Sequence, residues 1–232
     1  MHSKLKLKIP AAMQANPWFG SLPERNRQLL LAAGERLLLR SGEMLYRQGD
    51  APGGFFGVVS GSFKVSTLRK NGKEGILALL EAGNWFGETS LLDGLPRPHD
   101  VTALEPAEVL MVGQTAFEGL IASPSFARAM MVLLSTRVRL LYGLVEDAML
   151  RSISTRVARR LLALSRGDAT MARDFRPTVM VSQEAFAMML GVTRQTLSRE
   201  LKLLAHDGVV TVGYGRIDIL SLTALEAKGA TD

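Results

Sequence analysis

The sequence contains no cysteine and only three histidines among its 232 residues, His2, His99 and His206. Without cysteine the chain has no disulfides, thiolate metal sites, iron–sulfur clusters or cysteine nucleophiles, and three isolated histidines do not form a zinc-binding pattern. The sequence has no uncharged apolar run of about 18 residues, and the N-terminus lacks the apolar core of a secretory signal. We therefore expect a cytoplasmic protein with no membrane association.

Charge is unevenly distributed along the chain, whose net charge is +6. Arginine and lysine outnumber aspartate and glutamate by 16 to 14 over residues 1–150 and by 12 to 8 over residues 151–232. The larger excess lies in the shorter part, which fits a polyanionic partner reached through the C-terminal part of the chain. Hydrophobic residues make up 47% of the sequence, which is ample for buried cores.

Short strand-like runs dominate from Arg36 to about Gly113. Glycine-containing turns separate them, and Asn71-Gly72 is the strongest hairpin turn. The runs are MLYRQ, FFGVVSG, SFKVSTL, GILALL and EVLMVG. This pattern predicts an antiparallel β-roll, a sandwich or barrel-like unit.

A long helix is predicted next, opening at Pro124 and running to about Met149. Its apolar residues follow a 3, 4, 3, 4, 3 spacing, which is an a/d seam: Met131, Leu134, Val138, Leu141, Val145 and Ala148. A second stripe beside it is expected to cover the β unit: Met130, Leu133, Leu140 and Leu144. About 26 residues at 1.5 Å each give roughly 39 Å, longer than one small domain needs. We therefore favour pairing with a second copy over burial within one monomer.

Two short helices joined by a glycine are predicted near the C-terminus, beyond a junction near residue 152 and a loop at 166–177. Ser182 caps a helix from Gln183 to Leu190, and Gly191 ends it. Thr193 caps the next helix, whose buried face holds Leu197, Leu201 and Leu204. Helix, glycine turn and helix is the arrangement that places a second helix in a DNA major groove.

The outer face of that second helix carries the chemistry for reading DNA. Arginine bonds guanine, glutamine pairs with adenine, and Ser198 and Lys202 reach phosphates. The run VVTVGYGRIDIL then predicts a hairpin wing with Arg216 near the DNA backbone. The candidate DNA-binding residues are Ser182, Gln183, Thr193, Arg194, Gln195, Ser198, Arg199, Lys202 and Arg216.

Nearly the whole chain resembles the bacterial regulators typified by the cyclic-AMP receptor protein and the fumarate and nitrate reduction regulator. The resemblance is carried by SGEMLYRQGDAPGGFFGVVSGSFKVS, GNWFGETSLLDGLPR and VSQEAFAMMLGVTRQTLSRELKLLAHDGVV. It implies an α+β chain with an effector-binding β-roll at 1–123, a dimerisation helix and hinge at 124–152, and a winged helix-turn-helix at 153–232.

The resemblance also implies partners and base contacts. A homodimer would bind a palindromic double-stranded operator, with RNA polymerase as a further partner. Arg194, Gln195 and Arg199 would read bases, and Gln195 stands where the cyclic-AMP receptor has a glutamate. Glutamine both donates and accepts, so the preferred half-site is expected to differ at that base pair.

In cyclic-nucleotide-binding members a glutamate holds the ribose and an arginine the cyclic phosphate, and Glu88 and Arg97 match them. The candidate effector residues are Gly87, Glu88, Thr89, Arg97, Pro98, His99, Leu141 and Tyr142. Pro98 supplies neither the hydroxyl nor the backbone N–H usual after that arginine. Losing two such bonds would cost roughly 3–6 kcal/mol, or on the order of 10² to 10⁴ in affinity. Two readings of His99 stay open: it partly compensates through its ring or backbone N–H, or it is an exposed loop histidine with no role in binding.

Leu141 and Tyr142 align with adjacent polar residues that contact adenine in the cyclic-AMP receptor. Leucine cannot hydrogen-bond a purine, whereas tyrosine offers a ring and a hydroxyl. Two departures thus argue against cyclic AMP bound in the usual manner. The remaining readings are another nucleotide, a different effector such as a cyclic dinucleotide, and a regulator with no effector. No metal, haem or iron–sulfur cluster is expected.

Two other functional classes compete with the DNA-binding regulator. One is a cyclic-nucleotide-binding regulatory module whose C-terminal helices bind protein. The other is an enzyme, which has little support because no serine or cysteine nucleophile is arranged beside His99 and Asp100. We therefore expect a DNA-binding transcription regulator without catalytic residues.

Overall fold

The computed structural model describes residues 11–167 and 175–230, and the chain divides into two compact units. One unit comprises Met1–Val65 and Leu79–Leu134, and the other comprises Ser66–Ala78 and Ser135–Asp232. The sequence placed functional boundaries after residues 123 and 152 instead, and that functional division remains a prediction.

Eight strands form two four-stranded sheets and confirm the predicted antiparallel β-roll. They are β1 (Gly34–Leu39), β2 (Met44–Tyr46), β3 (Gly54–Ser60), β4 (Ser62–Leu68), β5 (Glu74–Glu81), β6 (Trp85–Phe86), β7 (Asp100–Ala103) and β8 (Ala107–Gly113). The sheet orders are β1-β8-β3-β6 and β2-β7-β4-β5. The Asn71-Gly72 turn joins β4 to β5: Gly72 has φ +80°, and Lys73 N donates to Asn71 Oδ1 at 3.1 Å.

Three N-terminal helices precede the strands in the first unit, and no sequence pattern noted above predicts them. They are α1 (Ala11–Ala15), α2 (Pro17–Ser21) and α3 (Glu24–Ala32). Trp18 on α2 lies 5.6 Å from Phe55, and Phe55 stacks on Trp85 at 5.2 Å between ring centroids. These rings are buried, and they form an aromatic core in which α2 packs against β3 and β6.

Helix α4 (Glu88–Asp93) lies between β6 and β7, and α5 (Gln114–Ile121) and α6 (Pro124–Leu150) follow β8. The start of α6 belongs to the first unit, where Met130 and Leu133 are buried as the sequence suggested. Leu140 and Leu144 were expected on the same covering stripe, but they are 44% and 39% exposed and line a cleft in the second unit. Leu77 of β5 lines the same cleft, so Leu140 and Leu144 face that strand across an open cleft instead of being buried against it.

The second unit adds helices α7 (Ile153–Ser165), α8 (Gln183–Leu190), α9 (Arg194–His206) and α10 (Leu222–Ala230), with strands β9 (Thr178–Val179), β10 (Val210–Gly213) and β11 (Arg216–Ile219). The strands pair in the order β10-β11-β9. Ser152 caps α7 by accepting a hydrogen bond from Thr155 N at 3.2 Å, so only two residues separate α6 from α7. Residues 168–174 of the predicted loop at 166–177 lie outside the described residues.

Among the described residues, no single helix is long and apolar enough to cross a membrane. Helices α5 and α6 meet that length and composition test only when taken together across a 104° bend.

Candidate nucleic-acid interface and effector pocket

The helix-turn-helix is built by the local capping that the sequence predicted. Ser182 Oγ accepts from Ala185 N at 3.1 Å, and Thr193 Oγ1 accepts from Thr196 N at 3.1 Å. Between the helices Gly191 has φ +68°, a left-handed conformation that glycine adopts without a steric penalty. Both helices therefore start and stop where their sequence dictates.

The orientation of α9 follows from its leucines. Leu197, Leu201 and Leu204 are at most 3% exposed, so the helix packs through one face and presents the other. Four of the predicted DNA-contacting side chains on that other face are exposed: Arg194, Gln195, Arg199 and Lys202. A fifth, Ser198, is half-buried. These groups form a basic, hydrogen-bonding surface, which is the chemistry that base edges and phosphates require.

One α9 residue outside the predicted set affects that surface. Glu200 is buried, and its carboxylate accepts from Arg199 Nη2 at 3.3 Å and Nε at 3.4 Å. The side chain of Arg199 is nevertheless 70% exposed. The sequence signal that could have indicated this contact is an acidic residue next to Arg199 on the leucine side of the helix.

The wing is a hairpin of β10 and β11 whose tip holds the fully exposed Tyr214. Arg216, predicted to approach the DNA backbone, is 58% exposed and lies 3.3 Å from Asp218 Oδ2. Asp218 also accepts from Thr178 Oγ1 at 2.8 Å, which ties the wing to β9. The wing is thus present as predicted, while its arginine is held by an acidic neighbour that sequence reasoning missed.

The loop around α4 brings Gly87 and Arg97 together in the first unit. Arg97 donates through Nη1 to Gly87 O and through Nη2 to Gly54 O, each at 2.7 Å. Its guanidinium also lies 4.4 Å from the centroid of the Tyr46 ring. Arg97 is 2% exposed, and burial lowers its pKa while the neighbouring acidic group of Glu88 opposes that shift. The arginine expected to hold a phosphate therefore already holds two main-chain carbonyls.

Gly87 is required at its position for two physical reasons. Its φ is +91°, and a Cβ atom there would lie 2.9 Å from Gly54 O and 3.0 Å from the Phe56 ring. A side chain at residue 87 would thus push the start of α4 away from Gly54 on β3, the two segments that Arg97 connects. The adjacent Glu88 is 2% exposed at the first position of α4.

The remaining candidate effector residues of the loop occupy different environments. Thr89 and Pro98 are exposed. His99 is half-buried, and within the described residues its Nδ1 is buried with no hydrogen-bond partner. Burial lowers the pKa of His99, and the charge of Asp100 acts in the opposite direction. The imidazole is therefore held toward its neutral form.

The two helix residues in the predicted effector set belong to the second unit. Leu141 and Tyr142 are 60% and 72% exposed on α6. Their predicted contact with an effector remains a prediction.

Within residues 11–167 and 175–230, no group of three or more histidine, aspartate or glutamate side chains is placed to hold a metal ion.

A winged helix-turn-helix with an exposed basic helix, together with a β-roll carrying a Gly-Glu pair and a buried arginine, defines a class of DNA-binding transcription regulators. Residues 36–123 match the family described as Cyclic nucleotide-binding domain, and residues 155–228 match the Crp-like helix-turn-helix domain. The chain is 31% identical to the Cyclic AMP receptor protein of Thermus thermophilus, over 92% of this chain and 97% of that protein. It belongs to the CRP/FNR family, which confirms the resemblance seen in the sequence.

Solved structures share this architecture. FixK2 from Bradyrhizobium japonicum superposes with a TM-score of 0.75 at 21% identity, covering 86% of this chain and 98% of that chain. The regulator CLP of Xanthomonas campestris, described as c-di-GMP responsive, gives 0.70 at 21% identity, covering 86% and 100%. At these identities the likeness concerns the fold alone, and it confirms the predicted α+β class.

Proposed function

We propose that this protein is a homodimeric, sequence-specific transcription regulator that binds a palindromic operator through two copies of α9. The observation that supports this proposal most strongly is the exposed surface of α9. Buried leucines set the orientation of the helix, and Arg194, Gln195 and Arg199 face outward. Bidentate arginine and glutamine contacts are the means by which a major-groove helix distinguishes base pairs. The other candidate DNA-binding residues would contact phosphates and position the helix: Ser182, Gln183, Thr193, Ser198, Lys202 and Arg216.

The dimer part of the proposal rests on the exposed seam of α6. Met131, Leu141 and Val145 are between 54% and 61% exposed in the protomer, and Val138 is 48% exposed. Apolar side chains repeated at a/d spacing along a helix are stabilised by packing against a second such helix. Pairing through this seam would place two recognition helices on one face of the duplex, about 34 Å apart. RNA polymerase is proposed as a further binding partner of the DNA-bound dimer.

We further propose that a small effector binds the β-roll beside Gly87, Glu88 and Arg97 and shifts the dimer toward its DNA-competent state. The candidates are a cyclic nucleotide, by analogy with the Cyclic AMP receptor protein of Thermus thermophilus, and a cyclic dinucleotide, by analogy with the c-di-GMP responsive CLP of Xanthomonas campestris. Such an effector acts only through its differential affinity for the two states. It would have to share Arg97 with the Gly54 and Gly87 carbonyls.

An effector-independent regulator is the second candidate, and the same arginine favours it. With both terminal nitrogens donating to main-chain oxygens, Arg97 closes the loop without an anion. Pro98, which follows it, offers no N–H to a phosphate.

Duplex binding tests the main proposal. Sequences retained from a random DNA pool should be palindromic, and their affinity for the full chain should fall steeply with salt because neutralised phosphates release counterions. Sedimentation should give a dimer. A monomer in solution, or no retained duplex, contradicts the proposal and favours a module whose C-terminal helices bind protein.

Calorimetric titration separates the two effector candidates. Cyclic AMP, cyclic GMP and cyclic di-GMP are each added to the full chain, and operator affinity is measured with and without each compound. Heat from one of them, with an altered operator affinity, supports the effector-controlled regulator. No heat from any of them, alongside tight operator binding, favours the effector-independent one.

A further inference from the structure

A cleft of about 490 Å³ lies entirely within the second unit and belongs to neither site described above. Its walls come from the start of β5, the later turns of α6, the helix α7 and the C-terminal end of α8. The apolar part of the wall includes Leu77, Leu140, Leu144, Met189 and Leu190. A volume of this size accommodates one ligand of nucleotide dimensions.

The cleft is strongly cationic. Among the described residues, five arginines and one acidic residue, Asp147, line it: the arginines are Arg139, Arg156, Arg159, Arg160 and Arg166. Asp147 pairs with Arg159 at 2.8 Å, and Arg166 pairs with Glu226 at 2.6 Å. Within the described part of the chain, Arg139 and Arg156 have no carboxylate partner. The walls therefore carry an excess of positive charge around an apolar surface.

Two of these guanidinium groups are fixed in position by the main chain. Arg156 Nη2 donates to Leu190 O at 2.7 Å, at the end of α8. Arg160, which is 5% exposed, donates through Nη2 to Leu77 O at 3.3 Å, on β5. Charged groups held in this way are preorganised, so little side-chain entropy is lost when an anion binds.

The cleft lies away from the proposed dimer seam. At about 100° per residue, the α6 residues that line the cleft centre roughly 140° around the helix from the seam, and only Ala148 belongs to both sets. Pairing of two α6 helices through the seam therefore leaves the cleft available to a small molecule.

We propose that this cleft binds a nucleotide-type polyanion, a molecule with at least two phosphate charges and an apolar ring. Arginine recognises phosphate oxygens by paired hydrogen bonds, and the leucine and methionine side chains provide a surface for a base. The site is separate from the one proposed in the β-roll. It contacts both sides of the α6–α7 junction and the end of α8, so a bound ligand would stabilise one orientation of the helix-turn-helix relative to α6.

Calorimetry on the full chain tests this site directly and needs no DNA. ATP, cyclic di-GMP and inorganic pyrophosphate are titrated at about 0.15 M salt into the wild type and the variants Arg139→Ala and Arg156→Ala. We expect one nucleotide to bind once per chain and each variant to weaken it about tenfold or more. Pyrophosphate should bind more weakly because it lacks the apolar ring.

Arg128→Ala is the matched control, since Arg128 is an exposed arginine on the same helix outside the cleft. Arg128→Ala should leave nucleotide affinity within about twofold of wild type. Eleven residues of helix separate Arg128 from Arg139, about 16 Å, and salt largely screens a charge at that distance. Arg139 makes no hydrogen bond or ion pair among the described residues, so Arg139→Ala should retain the wild-type melting temperature.

Four results would overturn the assignment. They are no binding of either nucleotide, equal loss in Arg128→Ala, pyrophosphate affinity equal to that of the nucleotides, and loss of binding in Glu88→Ala but not in the cleft variants. The last result would place the ligand in the β-roll. Failure at the cleft leaves operator binding measurable, so it is distinguishable from failure of the proposed function.

Discussion

Arg97 donates to the carbonyl of Gly87 at 2.7 Å, so the loop after α4 is fastened to the residue that precedes that helix. The same side chain reaches Gly54 O on β3. One buried cation thus connects three segments of the β-roll. Any ligand that engages this arginine must act on the geometry of all three.

Replacing Arg97 by lysine tests that structural role. Lysine retains the charge but cannot bridge two carbonyls with a planar fork or stack on Tyr46 in the same way. We expect Arg97→Lys to lower the free energy of unfolding by on the order of 2 kcal/mol, measured by urea denaturation. Arg40→Lys, at an exposed position near the end of β1, is the control and should change stability by less than about 0.5 kcal/mol. Equal effects would show that Arg97 has no special structural role.

Gly87 and Gly94 form a matched pair at the two ends of α4. Both have positive φ, +91° and +71°, but a Cβ on Gly94 meets nothing within 4 Å. Gly94→Ala should therefore cost only the roughly 1 kcal/mol of left-handed backbone strain, whereas Gly87→Ala adds a clash with Gly54 O. We expect the difference between the two unfolding free energies to exceed about 1 kcal/mol. Identical values would mean that the loop relaxes freely.

His99 should make the stability of the protein depend on pH. Burial lowers its folded-state pKa below the unfolded value of about 6.5. Between those two values the unfolded state binds more protons, so stability falls as pH drops below about 6.5 and is fully present above it. His99→Gln should remove this part of the acid sensitivity when urea unfolding is compared between pH 7.5 and pH 5. Unchanged acid sensitivity in the variant would assign the effect to other groups.

Two valines on α6 test the seam with the same chemical change. Val138 and Val132 are 48% and 57% exposed, but only Val138 lies on the a/d seam. We expect Val138→Glu to shift the sedimentation profile from dimer to monomer, because a carboxylate would be buried in the interface. Val132→Glu should remain dimeric. Dissociation in both variants, or in neither, would contradict pairing through the seam.

Two α9 side chains should affect DNA binding in different ways. Arg194→Ala should cost about 1–3 kcal/mol on the preferred operator and relax the base preference at one position. Lys202→Ala should weaken all duplexes alike and reduce the salt slope by about 1. Fluorescence anisotropy at several salt concentrations distinguishes these outcomes, with Arg128→Ala as a control. If Lys202→Ala altered base preference instead, its assignment to phosphate would be wrong.

The helix-turn-helix was predictable because its boundaries are set locally. Ser182, Gly191 and Thr193 each act within a few residues of their own position. The packing of Trp18 on Phe55 was not predictable, because the two rings are distant in sequence and nothing local to α2 indicates its partner. The two carbonyls that Arg97 holds escaped prediction for the same reason.

Only Arg151 and Ser152 separate α6 from α7, and this brevity has a consequence for DNA reading. Thirteen residues of α7 span about 20 Å, so a bend of roughly 20° at the junction displaces the far end of that helix by about 7 Å. Successive base pairs are about 3.4 Å apart. A small change in the backbone torsion angles of two residues therefore displaces the far end of α7 by about the length of two base-pair steps.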